Sequence, residues 1–183
     1  MKKRARVFRK LQPLSRRVSP RPILERKQNR MELTIVPVTG ALRKEAERLT
    51  VAAGQEHFVE PVAECMQEAD EIADWEPVCI YDGNTMVGFS MYGYMRCEKQ
   101  PRVWFDRLLI DARYQHRGYG RAAVEAILAR MQREFPGRDI YTSAYEDNPV
   151  ALSLYQSFGF RRNGELDING EKIMVLKSEN PPA

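Results

Sequence analysis

Histidine and cysteine are scarce: 183 residues hold two of the first and three of the second. Cys65, Cys79 and Cys97 form neither an even set nor a close ligand spacing, and the histidines are His57 and His116. A disulfide scaffold and a Cys/His metal centre are both disfavoured, so the expectation is reduced, ordinarily packed thiols and no metal. No apolar run approaches the ~18–20 residues that cross a bilayer, and no charged-then-apolar leader opens the sequence. These absences point to a soluble, cytoplasmic protein.

Charge is plentiful but unevenly placed. Residues 1–30 carry 12 Lys/Arg and one acid, Glu25. Removing them from the 29 bases and 25 acids of the whole chain leaves 17 and 24, a net of −7 for 31–183. The overall +4 therefore hides an acidic body, which attracts cationic ligands and repels nucleic acid. The basic stretch contains Pro13, Pro20 and Pro22, lacks a helical or strand period, and is expected to be disordered. Three origins stay open for it: an inert extension ahead of Met31, a basic arm for an anionic surface or nucleic acid, or an Arg-rich targeting peptide. The chain is thus divided into an extension (1–30), one domain (31–177) and a short tail (178–183).

Within the domain, residues 32–38 alternate and read as a strand, at an edge because of Pro37. Thr39 caps a helix over 41–52 that Gly54 ends. After a loop at 55–60, a second helix runs from Pro61 to about 73. Its acids are a solvated face or a wall that draws in a polycation. Residues 78–81 and 86–95, joined by Asp82-Gly83-Asn84, form a hairpin. The strand 103–110 is apolar on both faces and hence central, with Trp104, Asp106, Leu108 and Ile110 on one side and Val103, Phe105, Arg107 and Leu109 on the other. Asp106 and Arg107 are anomalous there: a satisfied ion pair, a solvent-open sheet end, or a functional acid. A helix over 121–135, a strand over 139–145, a helix over 150–158 capped by Asn148, and a hairpin turning at Asn169-Gly170 complete a mixed α/β sheet of about seven strands.

The central strand runs into Gln115-His116-Arg117-Gly118-Tyr119-Gly120 and then a helix. Such a turn aims free N–H groups and a helix dipole at an anion, although two spaced glycines also serve as a plain cap or turn. This motif, together with Asn148-Pro149-x-Ala151-x-x-Leu154-Tyr155-x-x-x-Gly159-Phe160 downstream, resembles the GNAT superfamily of N-acetyltransferases over about 31–177. The segments 102–115 and 164–172 are similar, more narrowly, to bacterial spermine/spermidine (diamine) N-acetyltransferases.

The resemblance implies a mostly antiparallel seven-stranded sheet with a splayed parallel centre, flanked by about four helices. It implies acetyl-CoA as cosubstrate, with its pyrophosphate on the N–H groups of Gln115, His116, Arg117, Gly118, Tyr119, Gly120 and Arg121. The pantetheine arm would pair along Leu108, Leu109 and Ile110, the Ile110 N–H would stabilise an oxyanion, and Asn148 would bond pantetheine as well as, or instead of only, capping its helix. Arg117 and Arg121 add charge around the phosphates or are plain surface cations.

Tyr155 is implied as the proton donor to the departing thiolate. Asp106 is implied as the base, directly or through water, or as the anion that holds the ammonium. Glu56, Asp106 and Trp104 are expected to bind substrate, aided by Phe58 and Tyr92, while Glu165 and Asp167 are hairpin surface or a homodimer edge. The expected partner is a small cationic amine, with no membrane and no nucleic acid except through 1–30. Direct transfer is favoured over a covalent acyl-enzyme. The rival readings are acetylation of a protein, peptide or antibiotic amine, or an acyl-CoA-binding module without catalysis.

Overall fold

The computed structural model describes residues 31–96 and 100–179. The expectations for residues 1–30 and for Cys97 lie outside them. Alternating and β-branched segments form strands β1 (Thr34–Pro37), β2 (Trp75–Asp82), β3 (Thr85–Met95), β4 (Arg102–Ile110), β5 (Ile140–Ala144), β6 (Arg161–Leu166) and β7 (Lys172–Leu176). They make one sheet in the order β1-β2-β3-β4-β5-β7-β6. Every neighbouring pair is antiparallel except β4 and β5. That pair is parallel because a helix, α3 (Tyr119–Glu134), carries the chain back across the sheet between them.

Two apolar layers cover the sheet. Val124, Ile127, Leu128 and Met131 of α3, with Leu152 and Tyr155 of α4 (Pro149–Ser157), pack on Val78, Ile80, Val103, Phe105 and Ile110. On the opposite face Ala46 of α1 (Gly40–Ala46), with Val62, Cys65 and Met66 of α2 (Val62–Glu71), packs on Cys79, Phe89, Met91 and Leu109. As its Pro37 suggested, β1 lies at a sheet edge. No helix among the described residues is long and apolar enough to cross a membrane.

Two local expectations need correction. The first helix stops at Ala46 rather than running to 52. Just beyond it the Thr50 N–H donates to Asp111 Oδ2 at 3.2 Å, and the Thr50 carbonyl accepts from Ala112 N at 2.8 Å. Those contacts to the end of β4 replace the backbone bonds that another helical turn would have made.

The faces of β4 are also not those of simple alternation. Met91 pairs with Arg107 but Tyr92 pairs with Phe105, so Asp106 is an extra residue in the ladder, a β-bulge. Beyond it every side chain changes face: Phe105 and Ile110 share one core while Leu109 belongs to the other. The buried Ser90 hydroxyl donates to the Arg107 carbonyl at 2.6 Å, satisfying the backbone at the bulge.

Candidate active site

The sheet opens where β4 and β5 should continue together. Their parallel ladder consists of Val103–Ile140 and Trp104–Tyr141, and β4 then runs on to Ile110 without β5 beside it. The Asp111 N–H donates to the Val87 carbonyl at 3.0 Å, which sets the antiparallel parity of this end of β4. By that alternation the N–H and C=O groups of Leu108 and Ile110 point away from β3, into the gap. Gln115 Nε2 donates to the Ile110 carbonyl and to Gln55 Oε1, both at 2.9 Å, tying the turn after β4 to the loop before α2. A cleft of about 370 Å³ fills the gap, lined by Leu108, Ile110, Gln115, His116, Gly120, Asn148 and Tyr155 among others.

The turn at the floor of this cleft needs left-handed backbone. Gly118 is the N-cap of α3 at φ 89°, and a Cβ there would touch nothing within 4 Å, so the demand on it is conformational. At Gly120 an added Cβ would meet just Leu154 Cδ2 at 3.8 Å, an ordinary contact, and would project at the cleft wall. Across the gap, Asn148 caps α4 through an Ala151 N–H to Oδ1 bond of 3.0 Å. One turn further on, the Tyr155 ring stands edge-on to Phe105 and Phe160, with centroids 5.8 and 5.7 Å away. Tyr155 is 6% exposed, and burial pushes its phenol up to about 12.

The remaining wall is acidic. Glu60, Asp106, Asp167 and Glu171 all line the cleft. Arg107 ties two of them together: Nε donates to Glu60 at 3.0 Å, Nη2 meets Glu68 at 2.9 Å, and Nη1 pairs with Asp106. Burial pushes the Asp106 carboxyl up to about 6, against the pull of Arg107 and aided by Glu68, Glu60 and Asp167. Burial likewise raises Glu171, to about 7, while a 2.8 Å bond from the Ser143 hydroxyl opposes the shift. The thiols of Cys65 and Cys79 are buried and raised to about 12 and about 11, which leaves them protonated and poor nucleophiles.

An open parallel seam, a glycine turn at a helix N-terminus and a buried tyrosine facing both are now joined by sequence comparison, since residues 44–160 match the acetyltransferase (GNAT) family. The chain belongs to that family. It is 40% identical over 149 residues to the spermine/spermidine N(1)-acetyltransferase of Bacillus subtilis (strain 168), covering 79% of this chain and 98% of that one. Identity is 33% over 84 residues to the N-alpha-acetyltransferase RimI of Mycobacterium tuberculosis, covering 45% of this chain and 49% of that protein. The spermidine N-acetyltransferase from Vibrio cholerae, solved in complex with CoA and spermine, superposes with a TM-score of 0.59 at 17% identity, over 78% of this chain and 92% of that one. An acetyltransferase from Thermus thermophilus superposes with 0.60 at 22% identity, over 80% and 97% of the two chains. Both structures share the fold.

In this N-acetyltransferase several expected site residues lie apart from the cleft. Leu109 turns into the α1–α2 core. Tyr119 donates to Asp82 at 2.6 Å, toward the β2–β3 turn, and Arg121 bridges to Ser157 at 2.9 Å over the Phe158 ring. Arg117 is exposed and is not among the lining residues. Trp104 packs against Tyr141 and is likewise absent from the lining, with its indole N–H buried and without a hydrogen-bond partner. Glu56 is exposed and accepts from the Gly54 N–H at 2.7 Å.

Two expectations are overturned. Tyr92 is fully buried, its hydroxyl donating to Glu134 at 2.7 Å on the α3 side, because the bulge at Asp106 sets the face that β3 residues share with β4. Asp167 lines the cleft instead of belonging to an outer hairpin surface, because the β6–β7 turn folds in over the end of β5. Sequence reasoning missed Gln55, Glu60, Ser143 and Glu171. The segment 164–172 resembles the diamine acetyltransferases, but spacing alone does not say which side of a hairpin faces a cleft.

Proposed function

We propose that this enzyme transfers the acetyl group of acetyl-CoA directly to a primary amine of a polyamine such as spermidine or spermine. The observation that carries the reading is the continuity of the open β4 edge with a carboxylate wall, Glu60, Asp106, Asp167 and Glu171, in one cleft. The curated relatives named for spermine and spermidine support the same choice of amine.

The residues present fit the cosubstrate. Backbone groups of Leu108 and Ile110 face the gap and offer a strand-like ladder to a pantetheine arm, with the Ile110 N–H available to a developing oxyanion. The turn from Gln115 to Gly120, opening a 16-residue helix, offers N–H groups and a positive dipole end to phosphates. Gly120 leaves that approach clear. Acetyl-CoA supplies the activated thioester, and Tyr155 donates a proton to the sulfur as it leaves. The raised phenol keeps that proton until it is needed.

On the acceptor side, Asp106 and Glu60 hold the ammonium, and the aromatic pair Phe58 and Tyr145, 6.4 Å between centroids, flanks the methylenes. Amines of this kind have a reference pKa of about 10.4, so at pH 7 roughly one in 2,500 is free to attack. A wall of acids lowers that fraction further, which makes proton removal part of the chemistry.

The test is thiol release from acetyl-CoA with spermidine, spermine, a lysine peptide and a peptide with a free N-terminus. The polyamines should give kcat/KM at least about tenfold above either peptide. A peptide preferred over both polyamines refutes the substrate assignment, and no release with any amine refutes the cosubstrate assignment.

A further inference from the structure

Four carboxylates line the acceptor end of the cleft, but they are not equivalent. Asp106 and Glu60 share the Arg107 guanidinium. Asp167 Oδ1 accepts the N–H groups of Asn169 and Glu171, at 2.9 and 2.8 Å, and so builds the β6–β7 turn. Glu171 has no cationic partner among the described residues: its carboxylate accepts the neutral Ser143 hydroxyl. The adjacent Lys172 ammonium is turned toward Glu146, 3.9 Å away.

We propose that Glu171 takes the proton from the substrate ammonium, with Ser143 as its positioning residue, while Asp106, bound to Arg107, keeps the ammonium-holding role. The inference rests on the acetyl-transfer reading above. Its basis is placement. Glu171 immediately precedes β7, beside the end of β5, where Ala144 pairs with Lys172, and it lines the same cleft as Tyr155 and Asp106. The charges of Asp106 and Glu171 both act on the Tyr155 phenol. The cleft therefore offers the attacking nitrogen both a carboxylate that is free to change charge and a phenol that keeps its proton.

Basicity agrees with this placement. A proton acceptor works best near the ambient pH, and burial raises both Glu171 and Asp106 toward it, but only Asp106 is held charged by a guanidinium. The groups facing Glu171 are Asp106 and its partner Arg107 on β4, Glu60 before α2, Tyr155 on α4, Tyr145 after β5, and Asp167 in its own turn. Three of them are carboxylates that disfavour a second negative charge, and Ser143 favours it.

The protons balance. The ammonium gives one proton to the Glu171 carboxylate, which later releases it to water. The freed nitrogen pair forms the C–N bond, the C–S bond breaks with its electron pair on sulfur, and Tyr155 protonates that sulfur. The second nitrogen proton restores the phenol. The net products are the N-acetyl amine, the free thiol and one proton.

The experiment measures kcat and KM from pH 5.5 to 9.5 for the full chain, Glu171→Gln and Ser143→Ala. For Glu171→Gln, kcat at pH 7.5 should fall about fiftyfold or more with spermidine KM changed less than about threefold, and the break in kcat/KM near neutral pH should be lost, leaving a rise that follows the free-amine fraction toward about pH 10. Ser143→Ala removes a bond that favours the ionised carboxylate, so its acidic limb should move to higher pH while the melting temperature stays put. An unchanged kcat with a raised KM, or a neutral-pH break in kcat/KM that survives in Glu171→Gln, overturns the proposal. Should the wild-type enzyme acetylate a lysine peptide and not spermidine, the polyamine reading falls alone, and the same losses are expected on the peptide.

Discussion

Replacing Tyr155 by Phe removes one oxygen from the most enclosed part of the site. The ring sits between Phe105 and Phe160, and phenylalanine keeps that packing. The lost hydroxyl neighbours Thr142, whose own Oγ1 is buried without a hydrogen-bond partner, so no strong bond is broken. The fold should therefore lose less than about 1 kcal/mol.

Catalysis should lose much more. A general acid contributes about 10²–10⁴-fold, and a thiolate is a tolerable leaving group even without help, which favours the low end. A hundredfold fall in kcat corresponds to about 2.7 kcal/mol of lost transition-state stabilisation.

Thiol release at saturating spermidine and acetyl-CoA measures kcat, and a thermal melt run alongside reports folding. Neither KM should move by more than about threefold, because the hydroxyl matters when the sulfur leaves and not before. An acyl donor built on a more acidic thiol should shrink the defect. A kcat within threefold of wild type, or a defect indifferent to leaving-group acidity, refutes the role of Tyr155.

Other consequences follow from the same geometry. Arg107→Met strips the shared cation from Asp106, Glu60 and Glu68 and should destabilise the fold by about 3–5 kcal/mol, with partial recovery toward pH 5 as Asp106 protonates; an unchanged urea midpoint at pH 8 contradicts this. Gly93→Ala would put a Cβ 2.1 Å from the Asp74 carbonyl oxygen, forcing β3 from the segment before β2, and a clear drop in melting temperature is expected where Gly40→Ala, with open space around it, should cause little.

Stability should also decline from about pH 5 to pH 8. Asp106 and Glu171 hold protons in the folded state, to about 6 and about 7, that the unfolded chain releases near 3.8 and 4.5, so the folded state loses its advantage as pH rises through that window. Below it the trend reverses, because Arg96 holds Asp74 under its ordinary value and acid removes that pairing. A melting temperature that climbs steadily from pH 5 to pH 8 disproves the assignment.

Much of the fold follows from local pattern. Apolar alternation marked the strands, Asp82-Gly83-Asn84 and Asn169-Gly170 marked the hairpins, and Asn148 announced α4, because these signals depend on backbone preferences within a few residues. Gly118 was legible for the same reason: its left-handed φ is demanded by the turn itself. The bulge was not. Asp106 becomes an extra residue through the register that β3 imposes on β4, and no feature of 102–110 alone records it. The early end of α1 likewise depends on Asp111, 61 positions from Thr50.

The amino-acid sequence thus determined the order of elements, the glycine turn that opens α3 and the family motif carrying Tyr155, since each is written in neighbouring residues. Which carboxylates meet at the cleft was decided by tertiary structure. Glu60, Asp106, Asp167 and Glu171 converge from a loop, a bulge and a hairpin, and their charges acquire meaning at the distances that folding sets. Burial and mutual repulsion, rather than residue type, separate Glu171 and Asp106 from the ordinary surface acids around them.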